Sequence, residues 1–227
     1  MYITGKNSIK EYLKDNKKIY KAFINKGTKD EVINELKNRG IEIEYLDKFK
    51  LDKIAKNHQG IIIKVDDFKY KDIYDLDDDI VVILDHLEDP HNLGAIIRTC
   101  EVSGIKNIII PKDRSVSVNE TVMKTSAGAL NHINLIMVTN LTETIKKLKK
   151  DGFWFVGMDM DGTNYKKLDY TGKIGLIVGS EGFGMSNLVE KQCDFIASIP
   201  MRGKVNSLNA SVAAGIIIFE AMSQRCD

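Results

Sequence analysis

A continuous apolar run at Ile80–Leu84 constrains the fold of this 227-residue chain more than any other stretch. A strand without polar alternation is buried on both faces, which is typical of a parallel sheet covered by helices. The chain after this run alternates between short apolar segments and segments of helical period, through a second apolar run at Ile174–Val178 to a final helix. Such alternation predicts an α/β domain built on a parallel sheet.

The start of the chain alternates in the same way on a smaller scale. Two capping-box patterns, Ser8 with Glu11 and Thr28 with Glu31, predict the first turns of two amphipathic helices. Short strands and a third helix complete this unit. The strands are predicted at Ile19–Asn25, Ile41–Leu46 and Gly60–Val65, and the third helix at 51–57.

A polar, charged stretch at 66–79 lacks any clear period and separates the two alternating regions. We therefore predict a small α/β domain at residues 1–70, a linker at 71–79 and a larger domain at 80–227. Residues 1–70 hold sixteen Lys and Arg against eleven Asp and Glu, whereas the remainder holds seventeen against twenty-one. A basic surplus is compatible with polyanion binding and equally with ordinary solvated surface, so charge alone assigns no partner.

Cysteine and histidine usage argues against a disulfide framework or a metal site. The three cysteines, Cys100, Cys193 and Cys226, are odd in number and widely spaced, and no histidines stand at metal-ligand spacing. The first residues lack an apolar signal core, and no apolar run approaches membrane-spanning length. We expect a soluble, cytoplasmic protein without a membrane or metal partner.

The segment Gly179–Gly184, Gly-Ser-Glu-Gly-Phe-Gly, follows the apolar run at Ile174–Val178 and precedes a predicted helix at 185–192. Three glycines in six residues let a backbone wrap a ligand without interference from Cβ atoms. The order differs from the dinucleotide fingerprint and from a P-loop, which argues against a nucleotide-binding oxidoreductase. Taken alone, the segment is equally well explained as a tight strand-to-helix turn.

The stretch Ile199–Glu220 predicts a helix over 207–219 whose backbone is closely approached by another group. Ala210, Ala213, Ala214 and Gly215 are too small to fill a core, although the helix otherwise ends in large apolar residues. Asn206 and Ser207 are predicted to cap its first turn.

The stretch Asp85–Arg98 follows the first strand of the larger domain. Pro90 holds the turn, and Asn92 is predicted to cap the helix that carries Arg98. An arginine in this place clamps a phosphate or forms a surface ion pair, and the sequence leaves both open. The elements predicted after this helix are strands at 107–110, 133–138 and 153–158 and helices at 118–126 and 141–150.

Three segments, DPHNLGAIIRT, LIVGSEGFGMS and IPMRGKVNSLNASVAAGIIIFE, stand in this order within one domain. Together they resemble the three motifs of the SpoU/TrmH (SPOUT) family of RNA ribose 2′-O-methyltransferases, over residues 78–225. The front part of the chain resembles the small L30e-like substrate-binding domain of the branch that methylates a guanosine of large-subunit (23S) ribosomal RNA. The segment PKDRSVSVNETVMKTSAGAL also resembles that branch.

The resemblance implies a deep trefoil knot in the C-terminal domain, S-adenosylmethionine bound in the knot, and a homodimer with ribosomal RNA as substrate. The residues that it implies for the cofactor are Gly179, Ser180, Gly182, Ile199, Met201, Ser207 and Leu208. Those that it implies for catalysis or RNA placement are Asn92, Arg98, Glu181 and Asn209. We expect RNA contacts from Arg98 and from the lysine-rich front domain, including Lys6, Asn7 and Lys10.

Two roles stay open for each of two residues in the implied reaction. Arg98 activates the ribose hydroxyl or clamps the adjacent phosphate, and the clamp is preferred because guanidinium is effectively always protonated. Glu181 accepts a proton or shapes the glycine loop, and the loop role is preferred. Two alternatives remain for the whole chain: the same reaction on a transfer RNA, and a non-catalytic RNA-binding or ribosome-assembly protein of the same fold.

Overall fold

The computed structural model of this chain describes residues 1–14, 17–56, 58–204 and 207–225. They divide into two compact units: unit 1 is Met1–Lys69 with Val118–Gly128, and unit 2 is Tyr70–Ser117 with Ala129–Asp227. The stretch 118–128, assigned above to the larger domain, thus belongs to unit 1. The stretch predicted as linker at 71–79 lies in unit 2, where Lys71 bridges to Ile136.

The elements alternate along the chain as follows. The strands are β1 (Tyr2–Thr4), β2 (Ile19–Asn25), β3 (Ile43–Leu46), β4 (Ile61–Val65), β5 (Ile80–Leu84), β6 (Asn107–Pro111), β7 (Asn134–Val138), β8 (Trp154–Asn164), β9 (Ile174–Val178) and β10 (Phe195–Ser198). The helices are α1 (Lys6–Lys14), α2 (Glu31–Asn38), α3 (Lys48–Ile54), α4 (Pro90–Ser103), α5 (Glu120–Thr125), α6 (Leu141–Lys150), α7 (Asn187–Glu190) and α8 (Ala210–Ser223). Short 3-10 turns lie at Ile73–Asp75, Ala129–Asn131 and Tyr165–Lys167. No helix in the described ranges is both long and apolar enough to cross a membrane.

Unit 1 is a four-stranded sheet in the order β1-β4-β2-β3. Strands β2 and β3 are parallel, whereas β4 runs antiparallel to both of its neighbours. Its core joins the apolar faces of α1 and α2 to the sheet. The residues of this core include Ile9, Leu13, Val32, Leu36, Ile24, Ile61 and Ile63.

Both capping predictions in unit 1 are wrong in position. Helix α1 begins at Lys6, directly after Gly5 at φ 81°, so that Ser8 lies inside the helix. Helix α2 is capped by Asp30, whose carboxylate accepts the Val32 amide, and not by Thr28. The third helix begins at Lys48 and ends at Ile54, and Asn57, predicted as its last residue, lies outside the described residues.

Unit 2 contains a six-stranded sheet in the order β10-β8-β9-β5-β6-β7, in which each neighbouring pair is parallel. Strands β5 and β9 lie side by side at its centre, with Ile80 opposite Ile174 and Leu84 opposite Val178. Every residue of both strands is buried, as their unbroken apolar runs predicted. The predicted α/β fold with a parallel sheet is therefore confirmed.

Helix α4 starts two residues earlier than its sequence predicted. Asp89 is its cap and accepts the His91 amide, while Pro90 occupies the first helical position, where a missing N–H costs nothing. Asn92 is therefore inside the first turn, and the prediction that it caps the helix is wrong. This shift frees the Asn92 side chain for the contact described below.

Strand β8 runs six residues past its predicted end and pairs irregularly with β10, a strand that was not predicted. Gly157 pairs with Ile196, but the next residue of β10, Ala197, pairs with Thr163. Residues 158–162, here called the arch, lie within β8 but pair with no residue of β10. A Cβ on Gly162 would lie 2.5 Å from the Ile196 carbonyl oxygen, so the arch returns to the sheet through a glycine.

The last two helices also differ from their predicted bounds. Helix α7 covers only 187–190 of the predicted 185–192. Helix α8 is capped by Asn209, not by Ser207, and Asn206 lies outside the described residues. The predicted close approach is to α4, although a Cβ on Gly215 would make only ordinary contact with Thr99, at 3.9 Å. The knotted path implied by the resemblance stays a prediction.

Candidate active site

A cavity of about 640 Å³ opens in unit 2 where three segments meet. They are the arch, the glycine loop that follows β9, and the chain that leads into α8. A volume of this size is typical of small-molecule sites. All seven residues predicted for cofactor binding line it: Gly179, Ser180, Gly182, Ile199, Met201, Ser207 and Leu208.

The glycine loop closes on itself beside this cavity. The amide of Ser180 donates to the Gly184 carbonyl at 2.9 Å, and the Gly184 amide donates back to the Ser180 carbonyl at 3.0 Å. A Cβ on Gly179 would lie 2.2 Å from the carbonyl carbon of Gly184, so no larger residue is possible without moving the loop. Gly182 adopts φ 81°, a left-handed conformation that favours glycine. The glycines are thus required by a folded backbone loop that faces the cavity.

Glu181 joins the glycine loop to two other elements through its carboxylate. The Asn209 side-chain amide donates to Glu181 Oε1 at 3.0 Å, and the Asn92 side-chain amide donates to the same oxygen. Asn92 is buried and also donates to Asp89 Oδ2 at 3.2 Å. Three of the four residues predicted for catalysis therefore meet, although as many as 117 positions (92 to 209) separate them in the chain.

Asn209 has a second function at the start of α8. Its Oδ1 accepts the backbone amides of Ser211 at 3.0 Å and Val212 at 3.3 Å, which caps the helix. One side chain thus caps α8 with its oxygen and holds Glu181 with its nitrogen. This arrangement fixes the distance between the glycine loop and the first turn of α8.

Arg98 does not join this cluster. Six residues separate it from Asn92, which turns its side chain about 240° around α4 from that of Asn92. It is exposed, does not line the cavity, and makes no hydrogen bond or ion pair with the described part of the chain. The predicted RNA-contacting lysines are also engaged elsewhere: Lys6 pairs with Asp30 at 2.8 Å and Lys10 with Glu31, while Asn7 is exposed.

A buried carboxylate that was not predicted from the sequence supports the glycine loop. Asp85 directly follows the central strand β5 and is 1% exposed. Its Oδ2 accepts the Ser186 amide at 2.6 Å, and its Oδ1 lies 2.5 Å from His86 Nδ1. The end of β5 thereby holds the end of the loop after β9. The signal in the sequence was an aspartate placed directly after an apolar strand.

The arch was missed as well, and it supplies one wall of the cavity through Met158, Asp159 and Met160. Asp159 Oδ1 accepts the Met160 amide at 2.6 Å, whereas Oδ2 has no partner among the described residues. Phe183, at the tip of the glycine loop, is 94% exposed and lines the cavity. Asp159 and Glu181 are charged, and the described lining contains no Lys, Arg or His. The cavity therefore favours a ligand that carries positive charge.

Cys100 and Cys193 of unit 2 are buried or partly buried. Cys193 packs beside Met185 behind the glycine loop, and burial raises the pKa of its thiol to about 12. Burial also raises the pKa of the Cys100 thiol, which lies inside α4. At neutral pH both thiols are protonated and are poor nucleophiles. Among the described residues no group of three or more His, Cys, Asp or Glu could hold a metal ion.

Two protein-family models match this chain. The model described as the SpoU rRNA Methylase family matches residues 79–219. The model described as RNA 2′-O ribose methyltransferase substrate binding matches residues 2–71. The first match includes the arch, the glycine loop and most of α8, and the second covers most of unit 1.

Whole proteins resemble the chain over nearly its full length. A Bacillus subtilis (strain 168) protein named "Putative TrmH family tRNA/rRNA methyltransferase YacO" is 41% identical over 238 residues, which cover 99% of this chain and 96% of that one. The solved structure of the SpoU methyltransferase AviRb from Streptomyces viridochromogenes with AdoMet has a TM-score of 0.80 at 22% identity, covering 99% and 90%. An AdoMet-bound rRNA methyltransferase from Sinorhizobium meliloti has a TM-score of 0.78 at 23% identity, covering 100% and 88%. The two structures show a shared fold.

Proposed function

Because the chain belongs to the SpoU rRNA methylase family, we propose that it transfers a methyl group from S-adenosylmethionine to the 2′-hydroxyl of a ribose in RNA. The observation that carries this proposal is that two of the motif segments line one cavity, while Asn92 of the third segment and Asn209 both donate to the Glu181 carboxylate beside it. The name of the model that matches unit 1, which specifies 2′-O ribose methyltransferases, supports the ribose as the acceptor.

The cavity suits S-adenosylmethionine in size, shape and charge. Its volume of about 640 Å³ suits a nucleoside with an amino-acid tail, and its wall combines apolar side chains with the backbone of the glycine loop. Two carboxylates without a cation suit a ligand with a sulfonium and an ammonium group. Gly179, Ile199 and Leu208 would hold the cofactor, which supplies an activated methyl group and an excellent leaving group.

The residues of the chain then have to align the acceptor hydroxyl, because little further activation is required for such a methyl group. Asn92 and Asn209 both donate to Glu181 Oε1, and these two hydrogen bonds also fix the orientation of Oε2. We assign Glu181 to shaping the loop and orienting the ribose. A proton acceptor for the hydroxyl is then water or the RNA phosphate.

Arg98 is assigned to the RNA phosphate next to the methylated ribose, as a clamp that orients the sugar. Guanidinium is a donor only and is always protonated, which suits a clamp and not a base. Its exposure and its lack of partners in the described chain leave all its donors available. Because it lies off the cavity wall, we place its contact with RNA outside the cofactor pocket.

A homodimer is part of this proposal. Val212 and Phe219, 51% and 53% exposed, are seven residues apart and so share one face of α8. Val102 of α4, the helix that packs against α8, is 64% exposed. Large apolar side chains grouped on two packed helices are typical of a surface that another subunit covers. A second copy would bury this surface beside the cavity, since α8 also lines it.

The preferred substrate is a guanosine of large-subunit (23S) ribosomal RNA, with the same reaction on a transfer RNA as the alternative. A separate substrate-binding unit at residues 2–71 favours the larger RNA. Incubating the protein with labelled methyl donor and either ribosomal RNA or transfer RNA, then mapping 2′-O-methylated nucleotides, tests the proposal. We expect one labelled guanosine in ribosomal RNA, and label absent from both RNAs would contradict the proposal.

A further inference from the structure

Helix α3 of unit 1 presents a surface that the proposed function leaves unassigned. Leu51 is fully buried and anchors the helix, whereas Phe49 and Lys53 lie on the opposite side. Phe49 is 71% exposed. The stretch 48–56 contains four lysines and a single acidic residue, Asp52. The outer face of α3 is therefore an aromatic ring surrounded by positive charge.

The lysines of this face are not neutralised within unit 1. The ammonium groups of Lys48, Lys50 and Lys56 make no ion pair or hydrogen bond with any residue that the structure describes. The Lys53 ammonium lies 4.6 Å from the centroid of the Phe49 ring. The Asp52 carboxylate lies 3.2 Å from His58 Nε2, within unit 1.

Helix α1 carries three lysines, and they are arranged differently. Lys6 pairs with Asp30 at 2.8 Å, Lys10 with Glu31, and Lys14 with Glu11 at 2.9 Å. A phosphate that binds such a lysine has to displace the carboxylate partner or be repelled by its negative charge. Unit 1 thus holds one lysine row with internal counterions and another without them.

We propose that α3 is the element of unit 1 that holds RNA, with an unstacked base on Phe49 and phosphates on the lysines around it. An aromatic ring set among cations is the arrangement by which proteins hold single-stranded nucleic acid, since bases stack on the ring and lysines neutralise phosphates. A protein partner is less well matched, because Phe49 is the one large apolar side chain exposed in α3 as the structure describes it, and the charge of 48–56 is positive. This inference rests on the proposed RNA substrate, and it moves the RNA contact from Lys6, Asn7 and Lys10 to α3.

The test compares two double variants of the full-length protein that each remove two lysines from unit 1. Lys50→Ala with Lys53→Ala changes α3, and Lys6→Ala with Lys10→Ala is the matched control on α1. The probe is a fluorescent oligouridylate of about 20 nucleotides, titrated by anisotropy between about 50 and 200 mM salt. Phe49→Ala and Phe49→Trp test the ring separately, and circular dichroism confirms that each variant is folded.

We expect the α3 double variant to bind the probe roughly tenfold more weakly, with the slope of log K against log salt reduced by about 1.4, which corresponds to two lost phosphate contacts. Phe49→Ala should weaken binding about fivefold or more without changing the slope, and Phe49→Trp should restore it. The α1 double variant should stay within about twofold of the unchanged protein.

Equal losses in the two double variants, or an unchanged affinity in the α3 variant, would overturn the proposal. So would a Phe49→Ala protein with full affinity. The test measures RNA binding and not methyl transfer, so its outcome is separable from that of the proposed function. If methylation fails but binding follows the expected pattern, α3 is still an RNA-binding element. If methylation occurs but binding follows the contrary pattern, only the proposal for α3 is overturned.

Discussion

The side-chain amide of Asn209 donates to Glu181 Oε1 at 3.0 Å while its oxygen caps α8. The same carboxylate oxygen accepts the amide of Asn92 from the first turn of α4. The loop that lines the proposed cofactor cavity is therefore held between the first turns of two helices. Its geometry depends on three side chains from three separate motifs.

Replacing Asn209 separates its two functions. Asn209→Ala removes both the cap and the bond to Glu181, whereas Asn209→Ser keeps a capping oxygen on a side chain too short to reach Glu181. We expect the alanine variant to lose about 1 kcal/mol of unfolding free energy and the serine variant a few tenths. Both should lose most methyl-transfer activity. Thermal unfolding and a methyl-transfer assay measure the two effects, and full activity in Asn209→Ser would contradict the role of the link.

Gly179→Ala should abolish cofactor binding. Its Cβ would lie 2.2 Å from the carbonyl carbon of Gly184, a contact that only a shift of the loop can relieve. Gly172→Ala is the control, since its Cβ would meet nothing within 4 Å, while its φ of 69° disfavours alanine and so adds a backbone strain that Gly179→Ala does not. Calorimetry with S-adenosylmethionine should detect binding only in the control. Comparable affinity in the two variants would show that the loop adapts.

Asp159→Asn should weaken the binding of S-adenosylmethionine more than that of S-adenosylhomocysteine, the product that lacks the sulfonium charge. The Oδ2 atom of Asp159 has no partner among the described residues, and the described lining of the cavity supplies no cation. Removing this charge should lower the affinity for the sulfonium form by roughly fivefold and that for S-adenosylhomocysteine by less. Asp161→Asn, two residues away and outside the cavity wall, is the control. Equal losses for both ligands would indicate a hydrogen bond to a group that they share.

The pH dependence of stability should differ in sign between two glutamates. Partial burial raises the pKa of Glu120, so its contribution to stability is greatest below its ordinary pKa and decreases as pH rises through the raised value. The Lys146 side chain lowers the pKa of Glu143, whose contribution is present at neutral pH and is lost as pH falls. The change in melting temperature caused by Glu120→Gln should therefore be more positive at pH 7 than at pH 4. The change caused by Glu143→Gln should be more negative at pH 7 than at pH 4. Melting curves at the two pH values that show the same sign for both variants would refute this.

The central strands β5 and β9 were predictable to the residue, because unbroken apolar runs leave few other structures possible. Helix starts were less predictable, since Asp30 and Asp89 competed with Thr28 and Asn92 for the cap within two or three positions. Strand β10 and the arch were missed because four residues of mixed polarity carry little period.

In the site, too, residues within a motif could be predicted, whereas contacts between residues far apart in the sequence could not. The glycine loop and the residues around the cavity were assigned through the resemblance of three motifs. The contact of Glu181 with Asn92, 89 residues away in sequence, could not follow from any local pattern. The ion pairs of Lys6 and Lys10 are tertiary as well, and they alter where RNA is expected to bind.

The arch gives this fold a way to change what the cavity accepts. Strand β10 advances by one residue, from Ile196 to Ala197, while β8 advances from Gly157 to Thr163. The five residues of the arch therefore have no partner on β10, although the positions on both sides of them are paired. Insertions or deletions at 158–162 should reshape one wall of the cavity and leave both strands in place, so relatives with other cofactor affinities are expected to differ in length there.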